Sequence, residues 1–144
     1  GISLGLAPIA GVVAVENYIP LWSLLLALGV MFWVAGFDLL YSLQDIKFDR
    51  DEGLFSIPSV YGRDATFFIA KIFHTLTIVF WGLFTYGAEL GVFAWIAVFV
   101  SAGILYKEHQ IVNKDFSKID RAFFTMNGYL GIIFLILIIL DQIF

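Results

Sequence analysis

The sequence predicts an all-α, polytopic transmembrane helix bundle, and three observations support that class. Hydrophobic residues make up 61% of the 144 residues and charged residues 14%, whereas soluble domains average roughly 45–50% apolar and about 25% charged residues. The mean hydropathy is +0.95, and a domain of this size has too little interior to hide so many apolar side chains. Four uncharged stretches are 17 to 19 residues long, which is close to the length that a helix needs to cross a bilayer.

The uncharged stretches define four complete spans, at residues 21–37, 72–88, 90–106 and 122–140. A fifth stretch, residues 1–15, is short and has no basic leader, so we interpret it as the end of a helix that begins upstream rather than as a signal peptide. Membrane β-strands alternate apolar and polar residues over about ten positions. These stretches do not alternate, which favours helices throughout.

Positive charge is confined to particular connections between the spans. Seven of the eight lysines and arginines lie in residues 45–64 and 107–121, whereas the connections 16–20 and 87–91 and the tail 141–144 contain none. Because positively charged loops stay cytoplasmic, we expect both segments on the cytoplasmic side of a bacterial inner membrane. Following the spans in order also places these two segments on one side. No domain boundary is visible, so we interpret residues 1–144 as one membrane domain or part of one.

Charge and cysteine content exclude several function classes. The net charge is -4 and no long basic run is present, so the chain lacks the electrostatic footprint of a nucleic-acid-binding protein. The sequence contains no cysteine, which excludes disulfides, thiolate nucleophiles and cysteine-based metal sites.

An acidic stripe at the end of the first span is the most informative feature. Asp38, Tyr41, Asp45 and Asp49 are spaced i, i+3, i+7 and i+11, which places them on one face of a continuous helix. Carboxylates that run from the interface into a membrane are unfavourable unless a cation neutralises them. Mg²⁺ prefers oxygen ligands and commonly joins one or two carboxylates to substrate phosphates. The stripe therefore indicates a divalent-cation site that faces a polyanion.

The segment after the stripe predicts an ordered connection. Gly53 suits the end of a helix, and Pro58 cannot lie in a helix interior, so we expect the next helix to begin near Asp64. Ser56 lies in this connection and could bind either a phosphate or the backbone.

The same residues resemble a known family. The sequence DLLYSLQDIKFD at 38–49, followed by GLFSIP at 53–58 and YG at 61–62, closely resembles the second aspartate-rich motif of the UbiA family of intramembrane prenyltransferases. LGLAPIA at 4–10, FWVAGFD at 32–38, YKEH at 106–109 and AFFTMNG at 122–128 are similar to the 4-hydroxybenzoate polyprenyltransferase branch and its menaquinone-pathway relatives. The resemblance covers nearly all of the chain.

This resemblance implies nine spanning helices around a cavity open to lipid, with Mg²⁺ as cofactor. It implies that a polyprenyl diphosphate and a small aromatic acceptor are the substrates and that the acceptor is prenylated on a ring carbon. Asp45 and Asp49 match the metal ligands of the family's motif, and Asp38 matches the acidic residue before them. The family's first motif, of the Asn-Asp-x-x-Asp-x-x-x-Asp type, does not occur here. We expect it in an N-terminal half that this sequence lacks, and we expect the fragment alone to be inactive.

Several other residues are candidates for the same site. Arg50 and Arg63 could neutralise a diphosphate, since a guanidinium binds two phosphate oxygens at once, or they could simply be basic loop residues. Tyr41 could hold an allylic cation or the diphosphate, or be an interfacial aromatic. His109, beside Glu108, either forms part of an interfacial polar cap or meets the acceptor or the pyrophosphate.

Two polar residues lie within apolar stretches. We interpret His74 as a satisfied intramembrane histidine that stands alone on its helix. We expect Asn127 to bind a neighbouring helix rather than a ligand.

Two rival functions remain open from the sequence. In a cation transporter, Asp38, Asp45 and Asp49 would line an ion path, but this does not account for the continuation of the stripe into a basic loop. A structural or assembly subunit would have no need of the aspartate spacing.

Overall fold

The computed structural model describes the backbone of residues 1–114 and 119–144 and the side chains of residues 1–113 and 124–144. Within these ranges there is no β-strand. The helices are α1 (Ile2–Glu16), α2 (Leu21–Ser42), a 3-10 turn (Leu43–Asp45), α3 (Ile46–Asp51), α4 (Ile57–Gly87), α5 (Val92–Lys114) and α6 (Ile119–Ile143).

Four helical segments are long and apolar enough to cross a membrane: Leu21–Asp51, Ile57–Gly87, Val92–Asn113 and Phe124–Ile143. They contain most of the four predicted spans, so the prediction of an all-α polytopic bundle is confirmed. Three of the segments extend well beyond the uncharged stretches, because charged side chains near a helix end can reach water while the backbone stays helical. The fifth stretch forms α1, a shorter apolar helix.

The contact between α2 and α4 is the most extensive among the described helices, and two glycines allow a close approach. A Cβ at Gly29 would overlap the ring of Trp81, and a Cβ at Gly36 would overlap the ring of His74. The glycines are seven residues apart on α2, and the rings are seven residues apart on α4. Small residues that let helices approach closely are typical of membrane bundles. Here they allow α4 to insert two large rings against the α2 backbone.

Trp81 is the centre of one hydrophobic cluster. Its ring packs on Phe134 of α6 at 4.4 Å between centroids and edge-on against Trp33 of α2 at 5.7 Å. Val98, Leu105 and Leu130 are buried with it. A second cluster, including Leu40, Leu43 and Ala70, fixes the end of α2 against α4.

The helix ends show that the spans run antiparallel. The Asp141 carboxylate, at the end of α6, accepts hydrogen bonds from the backbone N–H groups of Gly91 (2.6 Å) and Ala94 (3.1 Å) at the start of α5. The end of α5 and the start of α6 therefore lie at the opposite end of the bundle, the same end as α3 and the start of α4. The side of the membrane that this end faces stays a prediction.

The regular part of α4 begins after Gly62, beside the expected start near Asp64, but a short helical segment that was not predicted precedes it. The helix begins at Ile57, with Pro58 in its first turn, and is interrupted by Gly62 at φ 80° and ψ 176°. Proline is tolerated in a first turn because the backbone N–H there has no intrahelical acceptor. Gly62 adopts a conformation that is essentially restricted to glycine, and the regular helix continues after it.

Candidate active site

The acidic stripe does not lie on one continuous helix, which corrects the prediction. The 3-10 turn at Leu43–Asp45 separates α2 from α3. Because such a turn has 3.0 rather than 3.6 residues per turn, its three residues rotate α3 by roughly 60° relative to a continuous α-helix. Asp49 is therefore turned away from the line through Asp38 and Tyr41. Asp38, Tyr41 and Asp45 are exposed in this chain, and Asp49 is half-buried. Residues 38–51 thus form an acidic turn rather than a straight stripe.

Ser56 links the acidic turn to the start of α4. Its hydroxyl donates to Asp49 Oδ2 and accepts from the backbone N–H of Ser59 at 3.2 Å. The Ser59 hydroxyl in turn accepts from the Ser56 backbone N–H at 2.8 Å, which completes a capping box. Ser56 therefore fixes the Asp49 carboxylate relative to α4, and it binds the protein rather than an isolated phosphate.

Arg50 also binds the connection between α3 and α4. Its Nε donates to the backbone carbonyl of Ser59 at 3.1 Å, and the side chain is otherwise exposed. A guanidinium has five N–H donors, so groups remain that can bind a phosphate. Arg50 and Asp49 are thus both held to the first turn of α4, on either side of Ser56 and Ser59.

The carboxylates suit a divalent cation that is completed by other ligands. Asp38 is 56% exposed, and one of its oxygens lies 3.6 Å from the Gly1 amino group. Among the described residues, no group of three or more His, Asp or Glu side chains could hold a metal by itself. Asp45 and Asp49 supply two hard oxygen donors, which is the number that protein Mg²⁺ sites commonly provide when substrate phosphates complete the shell. The donor set fits Mg²⁺ bound together with a diphosphate.

Arg63 lies apart from the acidic turn. It follows the break at Gly62 and lines a cavity of about 520 Å³ together with Asp64, Phe67, Lys71 and others. Arg63 also has an interaction within the protein. None of Asp38, Asp45 and Asp49 lines this cavity.

His109 pairs with a histidine of the neighbouring helix α4. Its Nε2 lies 3.0 Å from His74 Nδ1, a hydrogen bond that joins α5 to α4. The ring also stands edge-on to Phe67 at 5.2 Å. The hydrogen bond agrees with the interpretation of His74 as a satisfied intramembrane histidine, and its partner lies on a different helix. Two histidines on different helices pair because Gly36 leaves room for one of them.

Glu108 lies inside the bundle and is 1% exposed. Its Oε1 accepts a hydrogen bond from Asn127 Nδ2 at 3.0 Å, and Asn127 Oδ1 accepts from Trp33 Nε1 at 2.8 Å. These two hydrogen bonds link the side chains of Glu108, Asn127 and Trp33 and so join α5, α6 and α2. This arrangement confirms that Asn127 binds neighbouring helices.

The sequence reasoning missed the buried polar network as a unit. It considered His109 together with Glu108 and treated His74 and Asn127 separately, because these residues lie on three different helices. The usable signal was that His74 and Asn127 lie within apolar stretches, and that Glu108 and His109 closely follow another one. In a membrane such groups are expected to find one another.

A protein-family profile matches most of the chain. The profile of the UbiA prenyltransferase family matches residues 1–136. The chain belongs to this family. The match includes all the residues of the acidic turn, the capping box and the buried polar network.

Two curated relatives of this UbiA family chain carry the same name. The chain is 28% identical over 125 residues to a 4-hydroxybenzoate octaprenyltransferase of Serratia proteamaculans, covering 85% of the chain and 42% of the relative. It is 29% identical over 124 residues to a protein of that name from Methylibium petroleiphilum, covering 84% of the chain and 39% of the relative. The chain thus spans about two fifths of the length of these relatives. No solved structure matches it significantly.

Proposed function

We propose that the chain belongs to a prenyltransferase of quinone biosynthesis. The enzyme would transfer a polyprenyl group from a polyprenyl diphosphate to a ring carbon of 4-hydroxybenzoate or of a menaquinone-pathway aromatic. The observation that carries this proposal is the acidic turn of a UbiA family chain, in which the Asp49 carboxylate is held by Ser56 beside Asp45. The names of the two relatives support an aromatic acceptor of this kind.

In this proposal Asp45 and Asp49 hold Mg²⁺ against the diphosphate. When bound, the metal supplies positive charge to the leaving group. Ser56 keeps the Asp49 carboxylate in one orientation, so little reorganisation is needed when the substrate arrives. Asp38 contributes negative charge to the substrate-facing end of α2.

Three further residues act on the charges that develop during transfer. Arg50, anchored through Nε to the Ser59 carbonyl, offers its remaining N–H groups to the departing pyrophosphate. Tyr41 is exposed on α2 one turn beyond Asp38, and its ring or hydroxyl would stabilise the allylic cation or the diphosphate. We also assign Arg63 and His109 to substrate binding. Neither lies at the acidic turn, so each would contact the substrate away from the proposed metal site.

The lipid bilayer is part of the mechanism. An allylic cation reacts quickly with water, so transfer needs a site from which water is excluded. In this proposal the acidic turn lies at the membrane interface, where the diphosphate can reach the aqueous side while its prenyl chain remains in hydrocarbon. We place the enzyme in the bacterial inner membrane with the two basic loops in the cytoplasm.

The transporter alternative receives no support from the geometry. An ion path needs successive ligands through the bundle, and the three aspartates lie at one end of it. The described side chains form no group of three or more acidic or histidine ligands deeper in the bundle.

An assay on the complete protein tests the proposal. Membranes that contain it, supplied with Mg²⁺, a long-chain polyprenyl diphosphate and 4-hydroxybenzoate or a naphthoate acceptor, should form a ring-prenylated product. Excess EDTA should stop the reaction, and added Mg²⁺ should restore it. Metal-independent transfer, or transfer only to a protein thiol, would refute the assignment.

A further inference from the structure

A groove between α4 and α5 forms a second candidate binding site. Its volume is about 650 Å³, within the range of roughly 300–1,000 Å³ that is typical of ligand sites. None of the acidic-turn residues Asp38, Tyr41, Asp45 and Asp49 lines it. Its α4 wall runs over the thirteen residues from Phe67 to Val79, or about 18 Å of helix.

The two ends of this groove differ in chemistry. Toward the loop end its walls include the polar residues Lys71, Gln110 and Asn113. Deeper in the bundle they include Ile78, Val79, Ala102 and Leu105. A ligand that fits has a polar head and an elongated apolar tail, with the tail directed toward the centre of the span.

Lys71 determines the charge of the head. Its Nζ lies 4.9 Å from the centre of the Phe67 ring, and the side chain is exposed. Among the described residues no carboxylate lies within ion-pair distance of Nζ. A lysine on a membrane-spanning helix normally has an anionic partner or reaches the interface. An anionic head would provide that partner.

The groove is continuous with the cavity beside Arg63. The two share Phe67, Lys71 and Asn113, and the second adds Arg63 and Asp64. The cations Lys71 and Arg63 and the carboxylate of Asp64 therefore surround the space at the loop end of the groove. The charge and the available volume suit a phosphate that bears further head-group atoms.

We propose that the groove between α4 and α5 binds one anionic phospholipid of the surrounding leaflet. The phosphate binds Lys71, the rest of the head group occupies the cavity beside Arg63, and one acyl chain lies along Ile78, Val79 and Leu105. The groove and the adjoining cavity include His109 and Arg63, which are assigned above to substrate binding, whereas none of the acidic-turn residues Asp38, Tyr41, Asp45 and Asp49 contributes to the site.

Native mass spectrometry of the full chain, released from nanodiscs of equal parts phosphatidylglycerol and phosphatidylcholine, tests the site. We expect one phosphatidylglycerol to be retained in preference to phosphatidylcholine. Lys71→Gln should lower that retention about fivefold, the effect of one lysine on an anionic lipid. The matched control is Lys47→Gln, which removes an exposed lysine of α3 outside the groove. Circular dichroism checks that each variant keeps its helices.

A second variant tests the contact with the acyl chain separately from the contact with the phosphate. Val79→Trp adds bulk to the deep wall at a position that is 49% exposed, so the fold should tolerate it while the acyl chain loses its place. Loss of phosphatidylglycerol in both Lys71→Gln and Val79→Trp supports the proposal. Equal losses in Lys71→Gln and Lys47→Gln would overturn it. Displacement of the lipid by millimolar inorganic phosphate would also overturn it, because the site would then bind phosphate alone.

Discussion

Gly36 of α2 lies directly against the imidazole of His74 of α4, with no room for a side chain between them. This contact places His74 Nδ1 within 3.0 Å of His109 Nε2. A residue without a side chain on one helix therefore determines a polar contact between two others. The close approach also brings α4, and with it the capping box that holds Asp49, against the end of α2.

Gly36→Ala should destabilise the bundle. A Cβ at this position collides with a buried ring, and forced overpacking of this kind costs about 1–3 kcal/mol. Denaturation in mixed micelles measures the change in the free energy of unfolding. The matched control is Gly103→Ala on α5, where a Cβ meets nothing within 4 Å. Equal stability of the two variants would mean that α2 and α4 are not in close contact at Gly36.

Asn127→Leu should destabilise the protein by about 1–3 kcal/mol, because it leaves the buried Glu108 without its hydrogen-bond donor. Trp33 Nε1 loses its acceptor in the same variant. Glu108→Gln keeps an oxygen acceptor at the same place, so a smaller change is expected. A double-mutant cycle of Asn127→Leu and Glu108→Gln, measured by the same denaturation, should show a coupling energy different from zero. Strict additivity would contradict the network.

Asp45→Asn and Asp49→Asn in the complete protein should each lower prenyl transfer by about 100-fold or more, since each removes charge from the proposed metal site. Asp51→Asn, which neutralises an exposed aspartate at the end of α3, should leave the rate nearly unchanged. Product formation by chromatography measures turnover, and membrane content by immunoblot confirms insertion. Near-normal activity of either Asp45→Asn or Asp49→Asn would remove that residue from the site.

The two ends of α4 should face opposite sides of the membrane, with the acidic turn in the cytoplasm. Because the sequence has no cysteine, Ser56→Cys and Ala88→Cys each introduce a unique label. An impermeant maleimide applied to intact cells should modify Ala88→Cys, and Ser56→Cys only after permeabilisation. Labelling of both from the same side would show that α4 does not span the membrane.

The sequence by itself determined the spans and the acidic residues. A span is recognised from a run of uncharged residues, because the bilayer requires apolar side chains at the lipid-exposed positions of a helix. This requirement does not depend on how the neighbouring helices are arranged. The spacing of Asp45 and Asp49 is also local, and the resemblance to the UbiA family rests on such linear patterns. The 3-10 turn at Leu43–Asp45 was not predicted, because residue propensities hardly distinguish such a turn from a continuous helix. The helical start at Ile57 was not predicted either, because the same propensities hardly distinguish a short helical segment from a loop.

Only the tertiary structure decided how polar residues on separate helices meet. The contact of Glu108 with Asn127, and that of His74 with His109, depend on the rotation and separation of three or four helices. Those parameters are set by the small residues of α2 and by the rings that pack against them, not by any one segment. A buried polar group is favourable only with a partner. The sequence could therefore show that Asn127 needed a partner, but the packing of α2, α5 and α6 selected Glu108 and Trp33.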